Sequence, residues 1–234
     1  MIAFRGVHIC NTAYLPQICN HIRIADMNEL GASKMNQKGN NIIKEIENKI
    51  TKEKILFFDL DGTLVETDYS NFLAYNRAVN SVLNKSITFN QNERFTRKKL
   101  ISTFPNLTKT EIEAIIEKKE MYYKDYLSET KLIESVYNLL NRYHKTNRTF
   151  LVSNCRKNRA LMILKYYNLD KKFEEIFYRQ LDKSRKLNKF KNAISKLNID
   201  PQKIIVFENE QIEISDAIDA GIQKENIITI TNTK

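Results

Sequence analysis

ILFFDLDGTLV, the sequence of residues 55–65, joins a run of apolar residues to a short acidic segment. Four large apolar residues stand first, and Asp59, Leu60, Asp61 and Gly62 follow them directly. An apolar run of this length is typical of a strand that is buried on both faces of a parallel sheet. Ligands of such sheets bind at the carboxyl ends of the strands, so both aspartates are predicted to stand at a functional edge.

The chain after Thr146 alternates between short apolar runs and stretches with helical spacing. Strands are predicted over 150–152, 175–178, 203–207 and 226–231. Helices are predicted over 156–168, 187–198 and 211–220, the last ending before Gly221. Alternation of this kind predicts an α/β fold with a doubly wound parallel sheet, to which the strand near residue 55 also belongs.

Residues 67–145 are predicted to form an all-helical insert in that α/β core. Apolar residues recur at helical spacing, and either Thr108 with Glu111 or Thr110 with Glu113 forms a candidate capping box. The core is then built from residues 54–66 and 146–234.

Residues 1–53 are predicted to be an N-terminal extension of unknown role, with a linker near 31–40 and an amphipathic helix from Ile42 to Ile50. The first part of the extension carries four metal-capable side chains: His8, Cys10, Cys19 and His21. Their spacing matches no zinc motif. We therefore expect an appendage or interaction segment there.

The composition limits the classes of protein to consider. Lys plus Arg is 38 and Asp plus Glu is 28, a formal net charge of +10 that suits a nucleic-acid binder or an enzyme for anionic substrates. The basic excess is spread along the chain, so we expect no nucleic-acid partner. No apolar stretch has transmembrane length, and three cysteines suit a reducing compartment. We expect a cytoplasmic protein, away from membranes, that is a monomer or a weak homo-oligomer.

Asp59 and Asp61 have a chemistry that fits their position. Two carboxylates at a strand end can converge on one divalent cation, and Mg²⁺ is the ion that such oxygen ligands suit together with substrate phosphate. A carboxylate can also attack phosphorus and form an aspartyl-phosphate. The alternative is an acidic Asp-Gly turn, which the preceding buried strand disfavours.

The segment DLDGTLV at 59–65 resembles the first motif of the haloacid dehalogenase-like hydrolases, most of which are Mg²⁺-dependent phosphatases. The resemblance covers about residues 54–231 and implies a Rossmann-like core with a helical cap, as in phosphoglycolate phosphatases and β-phosphoglucomutases. It implies that Asp59 is the nucleophile and Asp61 the general acid and base. It also implies that the backbone N–H groups of Leu60 and Gly62 bind the phosphoryl oxygens, while the Asp61 carbonyl faces the metal.

Two further motifs of the resemblance follow the predicted second strand. Ser153 matches the Ser or Thr that holds a phosphoryl oxygen, with Asn154 beside it at the substrate; the alternative role for either is a helix N-cap. The run KSRKLNKFK at 183–191 offers Lys183, Lys186 and Lys189 for the lysine that offsets negative charge. A spacing of four residues before Phe190 selects Lys186.

The fourth motif departs from the family pattern. Asn209 stands where family members carry a metal-binding Asp, and an amide oxygen can bind a cation but brings no charge. Glu208 and Glu213 flank it, and either can supply a carboxylate. The predicted metal ligands are therefore Asp59, Asp61, Asn209, Glu208 and Glu213.

A cap over the crevice favours small substrates, because a folded protein could not enter readily. Arg94, Arg97, Lys98 and Lys99 in the insert can contact an anionic substrate or form a solvated face. The predicted function is a Mg²⁺-dependent phosphatase for a small phosphorylated metabolite. The alternatives are a phosphomutase of the same fold and a non-catalytic binding protein derived from a phosphatase, which Asn209 supports.

Overall fold

The computed structural model describes residues 22–25, 35–179 and 187–231, with side chains from residue 41 onward. The strands are β1 (Ile22–Ala25), β2 (Ile55–Phe58), β3 (Val65–Glu66), β4 (Lys131–Leu132), β5 (Thr149–Val152), β6 (Glu175–Phe177), β7 (Ile204–Glu208) and β8 (Ile227–Thr231). The helices are α1 (Met35–Lys49), α2 (Asp68–Leu83), α3 (Arg97–Thr103), α4 (Lys109–Tyr122), α5 (Glu134–Tyr143), α6 (Lys157–Tyr166), α7 (Lys189–Leu197) and α8 (Gln211–Asp219). A 3-10 helix, Tyr123–Glu129, follows α4.

Six strands form one parallel sheet in the order β1-β8-β7-β2-β5-β6. β2 lies in the interior, where Phe57 is in register with Val206 on one side and Phe150 on the other. All four residues of β2 are buried, which explains why this strand has no polar position. The prediction of a doubly wound parallel α/β sheet is confirmed.

Helices cover both faces of this sheet, because successive side chains of each strand point to opposite faces. Leu56 and Phe58 belong to one apolar cluster, which α1, α5 and α6 complete. Ile55 and Phe57 belong to the other, which α7 and α8 complete. Both faces are therefore closed, and the carboxyl ends of the strands are the place where the core meets the insert.

The insert has an apolar cluster of its own, which holds α2, α3 and α4 together around Phe72, Leu100 and Ile115. Helix α4 begins with the capping box of Thr108 and Glu111, one of the two pairs that the sequence offered. In the described part of the chain, no helix is long and apolar enough to cross a membrane.

Three elements differ from the sequence predictions. Helix α1 begins at Met35, so the second half of the predicted linker is helical. Ile46 in this helix and Ile50 just after it are buried against the sheet and stabilise it. β3 and β4 form a small antiparallel pair at the base of the insert. Helix α5 was expected in the insert but packs on the sheet. Helical spacing shows that a helix has an apolar face, but not which part of the molecule that face contacts.

Candidate active site

The fold brings the acidic segment after β2, Ser153 after β5 and Glu208 at the end of β7 to one edge of the sheet. The Asp59 N–H donates to the Phe207 carbonyl at 3.1 Å, which extends the β2–β7 ladder to the first aspartate. The Ser153 N–H does the same toward the Phe177 carbonyl at 2.9 Å. Parallel neighbours thus fix the backbone of both segments at the carboxyl edge.

Lys189 lies at the centre of the acidic residues. Its ammonium nitrogen is 2.8 Å from Asp59 Oδ1 and 2.6 Å from Glu208 Oε2, and 3.6 Å from Glu213 Oε2. Burial would lower the pKa of Lys189, but the charges of Asp59, Glu208 and Glu213 outweigh burial and raise it. The lysine is therefore a fixed positive charge against Asp59.

The same cluster affects the protonation of Asp59. Burial and the neighbouring charge of Glu208 raise the pKa of Asp59, while Lys189 opposes both. The Lys189 ammonium therefore stabilises the ionised form of the Asp59 carboxylate.

The spacing argument selected Lys186, which lies outside the described residues, as does Lys183. The contact to Asp59 is made by Lys189, the first residue of α7. Asn188 caps that helix by accepting from the N–H groups of Phe190 and Lys191, both at 3.0 Å. An Asn before a helical run is an N-cap signal, and it places the next residue at the helix start, where the sheet edge lies.

Asp61 points away from Lys189 toward the insert. Its Oδ1 accepts from the Thr67 hydroxyl at 2.7 Å, and its Oδ2 lies 2.9 Å from Arg159 and 3.5 Å from Arg94. Burial alone would raise the pKa of Asp61, but Arg159 and Arg94 outweigh it and hold the pKa well below its usual range. In this arrangement Asp61 is an ionised carboxylate held by arginines of both the core and the insert.

Ser153 is buried in the position that the resemblance implies. Its hydroxyl accepts from the Cys155 N–H at 3.2 Å. The N-cap residue of α6 is Arg156, without a side-chain capping bond, so neither Ser153 nor Asn154 caps that helix. Asn154 donates to Glu213 Oε2 at 2.9 Å. Burial raises the pKa of the Cys155 thiol to about 12, so this cysteine is a thiol at neutral pH.

Gly62 closes the turn after β2, where its N–H donates to the Val65 carbonyl at 2.8 Å. Its role at a phosphoryl oxygen stays a prediction. The glycine is required for another reason: its φ is +81°, and a Cβ there would collide with the Asn209 amide. Leu60, the other predicted N–H donor, is fully buried in the same turn.

Asn209 packs directly on this turn. One end of its side-chain amide lies 3.2 Å from the Asp61 carbonyl oxygen, 3.2 Å from Glu208 Oε1 and 3.1 Å from Thr63 Oγ1. This end is the amide oxygen, which accepts from the Thr63 hydroxyl at 3.1 Å. Glu208 Oε1 also accepts from the N–H groups of Asn209 and Glu210, at 2.9 and 3.1 Å.

A cavity of about 680 Å³ opens between this edge and the insert. Asp59, Asp61 and Ser153 line it from the core, and Arg94 and Arg97 from the insert. Of the other two basic residues named from the sequence, Lys98 is exposed on α3, and Lys99 forms an ion pair with Glu93 at 2.6 Å.

Sequence reasoning missed five basic residues that line this cavity: Lys119, Arg156, Lys157, Arg159 and Arg179. Two of them, Arg159 and Lys119, are largely buried. Arg159 lies on α6, and its guanidinium joins Asp61 to Cys155 and, at 3.6 Å, to Glu120 of the insert. Lys119 is only 2% exposed, and burial lowers its pKa to about 8. Arg159 lies in the first turn of α6, shortly after Ser153, so its position near the site could have been predicted. Nothing in the local sequence indicates that Lys119 lies in the cavity.

A parallel α/β core with an acidic pair, a serine and a lysine at its strand ends, closed by a helical insert, defines a class of hydrolases with a covered crevice. A sequence model of the haloacid dehalogenase-like hydrolases matches residues 56–226. The chain belongs to that family of enzymes. The resemblance noted from DLDGTLV is thereby confirmed.

Solved structures share the fold at low sequence identity. A predicted phosphoglycolate phosphatase from Haemophilus somnus is 21% identical, with a TM-score of 0.65 over 78% of this chain and 88% of that chain. A haloacid dehalogenase-like hydrolase from Streptococcus pneumoniae is 18% identical, with a TM-score of 0.64 over 78% and 86%. A β-phosphoglucomutase candidate from Thermotoga maritima is 23% identical, with a TM-score of 0.59 over 77% and 87%. No curated protein matches this sequence.

Proposed function

We propose that this hydrolase is a phosphatase for a small phosphorylated metabolite and that it works through an aspartyl-phosphate on Asp59. The observation that carries the proposal is the contact of Lys189 with Asp59, 2.8 Å, at the floor of a cavity closed by the insert. A buried carboxylate fixed by a cation is suited to attack an anionic phosphoryl group, because the lysine offsets the charge of both partners.

The remaining groups supply the proton transfers and the orientation. A carboxylate oxygen of Asp59 attacks phosphorus, and the bond from phosphorus to the ester oxygen breaks. Asp61 gives a proton to the leaving oxygen, and then takes a proton from the water that attacks the aspartyl-phosphate. Inorganic phosphate leaves, and Asp59 is a free carboxylate again. The Ser153 hydroxyl and the Leu60 N–H hold phosphoryl oxygens during both steps.

Asp61 has to be released before it can carry a proton. Arg159 and Arg94 hold it as an anion, 2.9 and 3.5 Å from its Oδ2. A phosphorylated substrate that enters the cavity competes with Asp61 for the same arginines. Substrate binding thus frees the Asp61 carboxylate, which takes a proton from solvent and then gives it to the leaving oxygen beside it.

Mg²⁺ is the cofactor that family membership implies. The Asp59 carboxylate, the Asp61 carbonyl and an amide oxygen of Asn209 are the candidate ligands, with Glu208 and Glu213 nearby. They are hard oxygen donors, so they fit Mg²⁺ in kind. When bound, the ion would neutralise charge on the phosphoryl oxygens.

The insert favours a small substrate with limited bulk around its phosphate. Its residues Tyr75, Phe95 and Ile116 line the cavity beside Arg97 and present apolar surface to the rest of the substrate. A cytoplasmic location, the absence of a nucleic-acid partner, and a monomeric or weakly homo-oligomeric state remain predictions of this proposal.

The direct test is release of p-nitrophenol from p-nitrophenyl phosphate by wild type and Asp59→Asn, each with and without Mg²⁺. We expect turnover by wild type and loss of at least about a thousandfold in the variant, because the nucleophile is removed. Asp170→Asn, an exposed aspartate, is the matched control and should keep full activity. Equal activity of Asp59→Asn and wild type would refute the proposal, and a folded wild type without turnover would favour a binding role.

A phosphomutase would use Asp59 and Asp61 in the same way but return the phosphoryl group to the sugar. The similarity in fold to a β-phosphoglucomutase candidate keeps this second function in view. Product analysis with a hexose 1-phosphate separates the two. Inorganic phosphate as the product supports the phosphatase, and a hexose 6-phosphate supports the mutase.

A further inference from the structure

Three cations converge on one carboxylate where the insert meets the core. The Lys119 ammonium lies 3.2 Å from Glu120 Oε1, and Arg159 Nη1 and Arg156 Nε lie 3.6 and 3.7 Å from the same oxygen. We call these four residues the Glu120 cluster. Among the described residues, Lys119 and Arg156 have no other carboxylate within ion-pair distance. The cluster therefore carries more positive than negative charge.

The walls around the Glu120 cluster add to this excess. Three more cations line the same cavity: Arg97, Lys157 and Arg179. Of the described acidic residues that line the cavity, Glu120 alone lies outside the segments 59–61 and 208–213. The cavity is thus divided by charge, with its acids at the strand ends and its cations toward the insert.

Lys119 is held in this cluster although burial disfavours its charge. Its ammonium lies 5.2 Å from the ring centres of both Tyr75 and Tyr123, which favour a cation at their faces. Burial lowers the pKa of Lys119 to about 8, so the group is still an ammonium at pH 7. A positive charge kept at the cavity wall against the cost of burial fits a role in binding an anion.

Arg159 connects the Glu120 cluster to the reacting groups. Its Nη2 lies 2.9 Å from Asp61 Oδ2, on the side of the guanidinium away from Glu120. In the proposed mechanism Asp61 stands beside the leaving oxygen, whereas Lys189 contacts Asp59 on the phosphoryl side. The cluster therefore lies on the leaving-group side of the cavity, one guanidinium beyond Asp61.

We propose that the Glu120 cluster binds a second anionic group, carried by the leaving group of the substrate. The inference rests on the proposed function and narrows the substrate to a phosphorylated metabolite that also bears a carboxylate or a second phosphate. Lys119 and Arg156 are the specificity-determining residues, because ammonium and guanidinium groups bind both anions through charge-assisted hydrogen bonds. Tyr75 and Ile116 line the cavity beside them and contact the carbon skeleton between the two anions.

The experiment compares the binding of three phosphonates by calorimetric titration at pH 7, since a phosphonate resembles a phosphate ester but is not hydrolysed. 3-Phosphonopropionate carries a carboxylate, ethane-1,2-bisphosphonate carries a second phosphonate, and 3-phosphonopropionamide is the uncharged match of the first. We expect wild type to bind one of the two doubly anionic probes at least about tenfold more tightly than the amide. The tighter of the two identifies the second anionic group.

Variants of the cluster test which residues produce this preference. We expect the preference to fall to about threefold or less in Lys119→Met, and by at least about threefold in Arg156→Gln, because each change removes one cation. Lys98→Met is the matched control, since Lys98 is exposed on α3 and does not line the cavity. Its preference should equal that of wild type.

Equal binding of the three probes by wild type would overturn the inference, and so would a wild-type preference in both Lys119→Met and Arg156→Gln. Calorimetry needs no turnover, so this inference and the proposed function can fail separately. Preference for a doubly anionic probe in a protein that releases no p-nitrophenol would reject the proposed function and leave this inference standing. Turnover of p-nitrophenyl phosphate without such a preference would reject this inference alone.

Discussion

Replacement of Lys189 by Met is the perturbation whose size the structure defines most closely. Methionine keeps the length of the apolar stem but removes the ammonium that Asp59, Glu208 and Glu213 share. The side chains of these three acids are 9%, 1% and 5% exposed, so water in the adjoining cavity can replace the lost partner only in part. Removal of one partner from a buried ion pair costs about 3–5 kcal/mol, because it leaves an uncompensated buried charge. We expect a loss of this size in the free energy of unfolding at pH 8.

The loss should depend on pH with a definite sign. Burial and Glu208 already raise the pKa of Asp59, and without Lys189 nothing in the cluster opposes them. The folded variant therefore binds a proton that the unfolded chain has released, and its stability falls as the pH rises. The deficit relative to wild type should be smaller at pH 5 than at pH 8.

Urea unfolding in EDTA, followed by circular dichroism at both pH values, measures this deficit. Lys191→Met is the matched control, since Lys191 lies two residues further along α7 and is exposed. Its effect should stay within about 0.5 kcal/mol of wild type. If Lys189→Met is no less stable than Lys191→Met at pH 8, the buried carboxylates do not depend on this lysine, and the reasoning fails.

Three further predictions concern other parts of the molecule. Burial lowers the pKa of Lys119 to about 8, so wild-type stability should rise with pH between that value and the ordinary 10.5. Lys119→Met should therefore raise the free energy of unfolding at pH 7 by up to about 3 kcal/mol, and by much less at pH 10; no gain at pH 7 would contradict this. Arg94→Gln removes the ion pairs of Arg94 with Asp61 and Glu210, at 3.5 and 3.2 Å. Hydrogen exchange of the backbone amides should then be faster in α3 but not in β2. An unchanged exchange rate in α3 would count against this prediction. A chain that starts at Met35 should keep α1 and fold. A chain that starts at residue 52 lacks the buried Ile46 and Ile50, so its free energy of unfolding in urea should be lower by about 3–6 kcal/mol. Equal stability of the two chains would contradict this.

The sheet could be predicted from the sequence because strands buried on both faces are continuous runs of apolar residues. The four apolar residues of β2 and the similar runs of β5 and β7 are strands that no solvent contacts, and their order along the chain fixed the alternation with helices. The position of Asp59 at the carboxyl edge followed from the same pattern. These predictions needed only local composition and the rules of parallel sheets.

Features that depend on contacts distant in sequence could not be predicted in this way. The apolar stripe of α5 reads the same whether it faces the insert or the sheet, and only the folded chain shows that it faces the sheet. The burial of Lys119 could not be predicted, because a lysine in a charged helical segment is ordinarily exposed to solvent. The hydrogen bond from the Gly62 N–H to the Val65 carbonyl, which closes the turn, was likewise not predicted.

The motif lysine shows a middle case. Three lysines were available within nine residues, and the spacing rule selected Lys186, although the contact to Asp59 is made by Lys189. Asn188 is a typical N-cap residue, so the sequence indicated that a helix begins at Lys189. This bears directly on which of the three lysines contacts Asp59. Local helix-start chemistry was here more informative than a spacing carried over from relatives.

Asp59 is the residue expected to carry the phosphoryl group, and this can be observed directly. Wild-type enzyme turning over p-nitrophenyl phosphate is quenched with borohydride, which reduces an aspartyl-phosphate to homoserine, and the peptide that contains residues 55–65 is sequenced by mass spectrometry. We expect homoserine at position 59 in the presence of substrate and unmodified aspartate in its absence. Reduction at Glu208 or Glu213, or sustained turnover with position 59 unmodified, would contradict it.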